Sequence, residues 1–266
     1  MPRANLFSTL YRHRDLVVQF TRREVELRHK GSRLGHFWAL LSPMTMLGLY
    51  LFVFGLIFGG SFGIPGETIV DFTLALFLGL ILFNIIADTL GTAPLLIVNQ
   101  PNFVKKVVFP LEVIPVSTVA SSIYHNSLSL GLILVIAPFS HGGLAWGAFA
   151  LPLLLLPLAL MALGIGFGLA ALGVFVRDIN QLIPFLSTAI MYASAIVYPP
   201  SRLTGFWRIL RFNPLLVIVN EARKIVLWHF PPNFHAITYA YGVGLLTLAL
   251  GYGLFAVLRP YFAEVI

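Results

Sequence analysis

This chain of 266 residues contains no cysteine. Disulfide staples, a thiol nucleophile and a thiolate metal site are thereby excluded, and the redox compartment leaves no mark on the sequence. Charge is almost as scarce: Asp, Glu, Lys and Arg make up 10% of the residues, against about 25% in a soluble domain. The GxxxxGK[ST] loop that cradles nucleotide phosphates occurs nowhere. The seven histidines form no i,i+4 pair and no cluster with Asp or Glu of the kind that holds a metal. Serines occur without a nucleophile-elbow motif. No catalytic residue, no metal ligand and no cofactor bound by this chain are therefore expected.

What is there is apolar. Hydrophobic residues make up 58% of the chain and the mean hydropathy is +0.90. The first long run, Phe37 to Phe58, is about 22 residues, enough to cross a ~30 Å hydrocarbon core at 1.5 Å per residue. A basic, helix-compatible stretch, QFTRREVELRHKGSRLGH from Gln19, leads straight into it. Eight of the 17 Lys and Arg residues precede Trp38, which places the N-terminus in the cytoplasm. A cleaved signal peptide has a shorter basic region and an apolar stretch of only 7–15 residues. Residues 1–36 therefore read as a cytoplasmic interfacial helix ahead of a retained span. The net charge of +7 lies largely beside that span, so anionic lipid explains it better than nucleic acid does, at about 1 kcal/mol per basic residue near the surface.

Five further runs follow: Phe72 to Ala87, Val113 to Phe139, Leu144 to Val176, Leu182 to Tyr198 and Ile237 to Leu258. The 33 residues of Leu144 to Val176 are too many for a simple crossing, and Pro152 and Pro157 are expected to divide them into an oblique lead-in piece and a proper span. Lys105-Lys106 and Arg177-Asp178 mark returns to the cytoplasm, while GSFGIPGETIVD and SHGG carry no Lys or Arg. With the N-terminus inside, six crossings leave 12 basic residues inside and 5 outside and return the C-terminus to the cytoplasm. The expected fold is thus an all-α membrane protein with one domain over 1–266: the interfacial helix in 1–36, spans one to five in 37–198, an outer hairpin in 199–235, and the sixth span and tail in 236–266. The hairpin interleaves Arg202, Arg208, Arg211, Arg223 and Lys224 with Phe206, Trp207 and Trp228. It reads as a re-entrant or interfacial helix pair with Trp and Arg at headgroup level.

Within the spans, Gly164, Gly166 and Gly168 spell GxGxG on an apolar helix, which points to close helix packing and not to phosphate. Asp88, the one candidate intramembrane carboxylate, reads as a group at the inner interface; a lone carboxylate does not make a proton relay. Energy must then enter from elsewhere. Three cytoplasmic features could form a docking face: the N-terminal helix with Arg22, Arg23 and Glu24, where Glu24–Arg28 and Glu26–Lys30 stand at i,i+4; Asn102, Phe103, Lys105 and Lys106; and Arg177 with Asp178.

Four segments carry a resemblance across nearly the whole chain: RHKGSRLGHFWALLSP from Arg28, NFVKKVVFPLEVIP from Asn102, VFVRDINQLIPFL from Val174 and AIVYP from Ala195. In order and spacing they resemble the transmembrane subunit of type-2 ABC exporters that move polysaccharides (O-antigen, capsule, teichoic acid) across the bacterial inner membrane. One departure is Ala195, where that family often has proline before the Ile-Val-Tyr triplet. The resemblance implies a transport subunit and not an enzyme, paired with a second copy of itself around a conduit lined mainly by the first and fifth spans. It also implies two copies of a separate cytoplasmic ATPase, which would hold the ATP and Mg, coupled through residues 102–109 and the N-terminal helix. The cargo would be a polysaccharide or lipid-linked glycan.

Aromatic rings suit such a cargo, because sugars stack weakly apolar CH faces on them without fixed charge. Tyr50, Phe54 and Phe58 fall at i, i+4 and i+8 on one helical face, and Tyr192 and Tyr198 lie in the outer half of the fifth run. These five are the conduit candidates. Alternatives are a type-2 ABC permease for a small amphiphile such as a drug or lipid, and a stand-alone secondary transporter, against which the lack of paired intramembrane charges counts. A non-transport scaffold fits poorly with Pro-broken, aromatic-lined helices. Without a phosphate-binding loop, the chain purified alone in lipid should show only background ATP hydrolysis in a phosphate-release assay; turnover that tracks the chain through mutational controls would contradict this.

Overall fold

Uncharged runs in lipid must satisfy every backbone N–H and C=O internally, which leaves the helix as the available form for separate segments. The computed structural model describes residues 6–29, 37–105, 109–139 and 146–266. It is 83% helical, with no strand among the described residues.

Two N-terminal helices, α1 (Leu6–Arg12) and α2 (Arg14–His29), precede α3 (Phe37–Tyr50). The last of these continues as a π-helical segment over Leu51–Ile57. Then follow α4 (Ile69–Thr92), the short α5 (Pro101–Lys105), α6 (Val113–Ile136), α7 (Leu151–Phe175), α8 (Ile179–Ala193), α9 (Pro214–Val226), α10 (Phe234–Leu258) and α11 (Phe262–Val265). Four of the helical segments, containing α4, α6, α7 and α10, are long and apolar enough to cross a membrane. Leu41–Ile57 and Ile179–Ala193 are apolar but shorter.

The helix boundaries follow local chemistry. Thr68 and Asp71 close a reciprocal capping box at the start of α4. Asn213 caps α9 with Pro214 behind it, and Asn233 caps α10. Two boundaries differ from the sequence expectation. Residues 146–175 are not split at Pro157: a 3₁₀ turn over Trp146–Ala150 leads into an unbroken α7. Pro152 sits in the first turn, where its missing N–H costs nothing, and the interior Pro157 is accommodated. The fifth run also stops short, at Ala193 instead of Tyr198. Ala195 there has φ +49°, a left-handed conformation that ends the helix. A proline ring, fixed near −65°, could not adopt it.

Helix α4 is the centre of the bundle, buried almost continuously from Asp71 to Leu90. Helices α7 and α10 make the closest pair. A Cβ on Gly164 would strike the backbone of Thr247, and one on Gly251 the backbone of Gly164. A Cβ on Gly173 would likewise strike Pro94. The glycine pattern is therefore a packing seam, as its position on an apolar helix suggested.

The outer-hairpin expectation needs one correction. A 3₁₀ segment, Gly205–Phe212, does expose Phe206, Trp207, Arg208 and Phe212. Arg223, however, does not reach out of the protein: it is fully buried, on α9. Its Nε donates to the Ala75 carbonyl at 2.9 Å, Nη1 to Ala195 at 3.2 Å and Nη2 to Ile196 at 2.7 Å. The guanidinium also lies 4.2 Å from the centroid of the Phe62 ring. Gly79 makes room for it, since a Cβ there would come within 2.5 Å of Nη2. One side chain thus joins α4, the turn after α8, α9 and the loop before α4. Replacing Arg223 with Met would leave the Ala195 and Ile196 carbonyls without this donor, at about 1–3 kcal/mol each. We expect a large drop in the thermal unfolding midpoint in lipid nanodiscs, with Arg223→Lys intermediate because an ammonium lacks the planar fork. An unchanged midpoint for Arg223→Met would refute the assignment.

Candidate functional site

Three aromatic rings gather the N-terminal helix and the α5 segment at one end of the bundle. Phe20 of α2 stands 5.6 Å from Phe103 of α5 and 5.2 Å from Phe109, and Phe103 stands 4.6 Å from Phe109. Arg23 lies over Phe20 at 5.9 Å. Beneath them, Leu6, Ile97, Ile114, Val174, Phe255 and Phe262 form a second apolar core, with Phe103 and Phe109 packed against it. Helix α11 touches both α5 and α7 here. Buried Glu112, at the start of α6, pairs with Arg259 after α10. We refer to this as the basic end, since Arg22, Arg23, Lys105, Arg177 and Arg259 all lie there.

The docking candidates divide accordingly. The aromatic clasp brings together the helix carrying Arg22, Arg23 and Glu24 and the one carrying Asn102, Phe103 and Lys105. Lys106 lies outside the described residues. Arg177 and Asp178 are exposed at the turn between α7 and α8. The expected Glu24–Arg28 pair is replaced: Arg22 pairs with Glu26 at 2.9 Å, and Arg28 reaches Asp88 at 3.1 Å. Ser122 of α6 also donates to Asp88, at 2.9 Å. Asp88 is thus a structural acceptor linking α2, α4 and α6. Lys30, the other expected partner, lies outside the described residues.

The conduit candidates fall into two groups. Tyr50, Phe54 and Phe58 form a ladder, with centroids 6.2 Å and 6.0 Å apart. Tyr50 is half-buried and also meets Phe77 of α4, whereas Phe58 is 71% exposed. The ladder runs through the π-helical segment, where Phe58 N–H donates to Val53 at 3.1 Å across five residues. Tyr192, on α8, is 53% exposed. Tyr198 lies beyond the helix end, and its hydroxyl donates to the Tyr192 carbonyl at 2.6 Å. That hydroxyl is therefore engaged by the chain itself, and the ring face is what Tyr198 can offer a ligand. Sequence reasoning missed the Phe20–Phe109 contact and the Glu112–Arg259 pair, which join residues far apart in the chain. It also missed the π turn, which has no side-chain signature. Among the described residues no cluster of His, Cys, Asp or Glu could hold a metal.

Residues 15–227 match the model of the ABC-2 type transporter family. The chain belongs to the ABC-2 type transporter family. It is similar to the O-antigen export system permease protein RfbA of Myxococcus xanthus, 26% identical over 97% of this chain and 98% of that one. The permease of the same name from Klebsiella pneumoniae is 26% identical over 95% of each chain. The polysialic acid transport protein KpsM of Escherichia coli is 25% identical over 88% of this chain and 89% of its own. The family match begins within α2 and ends just after α9, so in this ABC-2 chain it takes in the clasp, the ring ladder and Arg223.

The clasp should behave as one unit. In a double-mutant cycle on thermal unfolding, Phe20→Ala and Phe103→Ala should show a coupling energy on the order of 1 kcal/mol, as expected for aromatic pairs in contact. Strict additivity would mean that α2 and α5 are held independently.

Proposed function

We propose that this chain is the permease subunit of an ATP-driven exporter that moves a polysaccharide or lipid-linked glycan outward across the bacterial inner membrane. The observation that carries the reading is similarity over nearly the full length to permeases named for O-antigen export, within a family match covering most of the chain. The shorter α3 and α8 complete six crossings together with the four long helices, which puts the basic end in the cytoplasm.

Two copies pair around the conduit. In a single chain α3 and α8 expose a large apolar and aromatic area, including Phe52, Phe58, Leu182, Phe185 and Tyr192, which supports this pairing. Tyr50, Phe54, Phe58, Tyr192 and Tyr198 offer ring faces to sugar along the path. Two copies of a cytoplasmic ATPase dock on the clasp, on Asn102, Phe103, Lys105, Lys106, Arg22, Arg23 and Glu24, and on the turn with Arg177 and Asp178. The ATPase supplies the phosphate-binding loop that this chain lacks.

Deleting the chain from its host should abolish surface display of the glycan and leave polymer inside, and the wild-type chain should restore display. A Lys105→Glu, Lys106→Glu double variant should reach the membrane, because the basic residues before Trp38 still set orientation. It should fail to restore export by at least ten-fold, read by immunoblotting surface glycan. Full export by this variant would refute coupling through the segment, and unchanged surface glycan after deletion would refute the export function.

A further inference from the structure

A polar cleft of about 260 Å³ opens between α3, α4 and α6 within a single chain, separate from the clasp. It is built from one face of each helix. On α4 the lining residues Phe77, Ile81, Asn84 and Asp88 follow the i, i+4, i+7, i+11 spacing of a single stripe. On α3 the lining positions are Ser42, Pro43, Met46 and Tyr50. From Asp88 to Phe77 the stripe rises about 16 Å at 1.5 Å per residue, so the cleft climbs from the basic end to mid-helix depth.

From α6 come His125, Asn126 and Ser129, and the described lining otherwise holds one guanidinium and one carboxylate. The Arg28–Asp88 pair cancels at the mouth, and Ser122 further engages the carboxylate. Asn84 is the one exposed residue on α4 between Asp71 and Leu90, and it faces this cleft. Neither its amide nor the hydroxyls of Ser42, Tyr50 and Ser129 has a hydrogen-bond partner among the described residues. These groups are open to the cleft, so their donors and acceptors are available to a molecule that enters it. The rings of Tyr50 and Phe77, 6.2 Å apart, form the apolar wall. Mixed donors and acceptors beside aromatic faces suit a polyhydroxy ring. An anion would meet a guanidinium already paired, and a cation an acid already paired.

Resting on the export reading above, we propose that this cleft binds one neutral sugar residue of the exported glycan inside each protomer, apart from the shared conduit. It takes up a sugar at the cytoplasmic mouth of the first span.

The absence of cysteine makes the test direct. Ser129→Cys places a single thiol in the cleft, and Ser127→Cys places one on an exposed position of the same helix as a control. Membranes carrying either variant with its ATPase are prepared from host cells that make the polymer and from cells blocked in its synthesis. N-ethylmaleimide labelling is then followed over time. The Ser129→Cys chain should label at least ten-fold more slowly when polymer is present, and the Ser127→Cys chain equally in both membranes. Adding Asn84→Leu to Ser129→Cys should abolish the protection. If the Ser129→Cys chain fails to accumulate, Ser42→Cys reads the same cleft from α3. Equal labelling of the cleft thiol in both membranes, in a host where the wild-type chain exports polymer, overturns the sugar site and leaves the export reading intact. Loss of the export reading shows separately, as surface glycan unaffected by deleting the chain. Protection by millimolar inorganic pyrophosphate in polymer-free membranes would identify an anion site and overturn the assignment to a neutral sugar.

Discussion

Backbone carbonyls released at the end of a helix have no water to turn to inside a bilayer, and this architecture meets that constraint with a single guanidinium. Helix α8 stops after 15 residues, about 22 Å at 1.5 Å per residue, short of the hydrocarbon thickness. The chain then turns through a left-handed alanine whose carbonyl, with the next one, points inward to Arg223. The third donor takes a carbonyl of the central helix. Among the described residues no carboxylate lies within ion-pair distance of this arginine, so carbonyl dipoles and an aromatic face stabilise its charge, with the Glu67 carboxylate adding to them from longer range. The short helix, the buried α9 and the position of the loop before α4 all depend on that arrangement. Glu67 braces the same loop by accepting from the backbone N–H groups of Phe62 and Gly63.

Four of the six expected runs form helices long and apolar enough to cross a membrane, and these were legible because lipid imposes one dominant pattern, long uncharged runs bounded by basic residues or by Gly and Pro. The glycine seam was legible for the same reason, since GxGxG in an apolar helix has few other uses. The prolines misled. Pro157 signals a break, yet α7 passes it unbroken, while the turn at Ala195 ends α8 without any proline or glycine to announce it. Arg223 misled in another way. Its neighbours in sequence, Trp228 and Lys224, suggested an interface, and only the third dimension supplies the three carbonyls that make burial tolerable.

The candidate site was partly visible. Asn102, Phe103 and Lys105 stood out as a polar and aromatic insertion between apolar runs, and the structure adds the ring from α2 that locks them to the N-terminal helix. The polar cleft was hidden for a physical reason. Its polar members are scattered over α2, α3, α4 and α6, each ordinary alone, and the i, i+4, i+7 stripe on α4 is masked by the apolar residues around Asn84. Asp88 illustrates the point: its i,i+4 surroundings gave no hint of Arg28, a residue 60 positions earlier.

The π-helical turn in the first apolar helix carries a mechanical consequence. A π turn holds one residue more than an α turn, so Leu51–Ile57 stores slack within a continuous helix. Such a turn can travel along a helix by exchanging hydrogen bonds one at a time. Each step rotates the side chains it passes by roughly 100°, the angular pitch of an α-helical residue. A helix built this way can present Tyr50, Phe54 and Phe58 to different neighbours in sequence while staying continuous, like a screw advancing through a fixed nut.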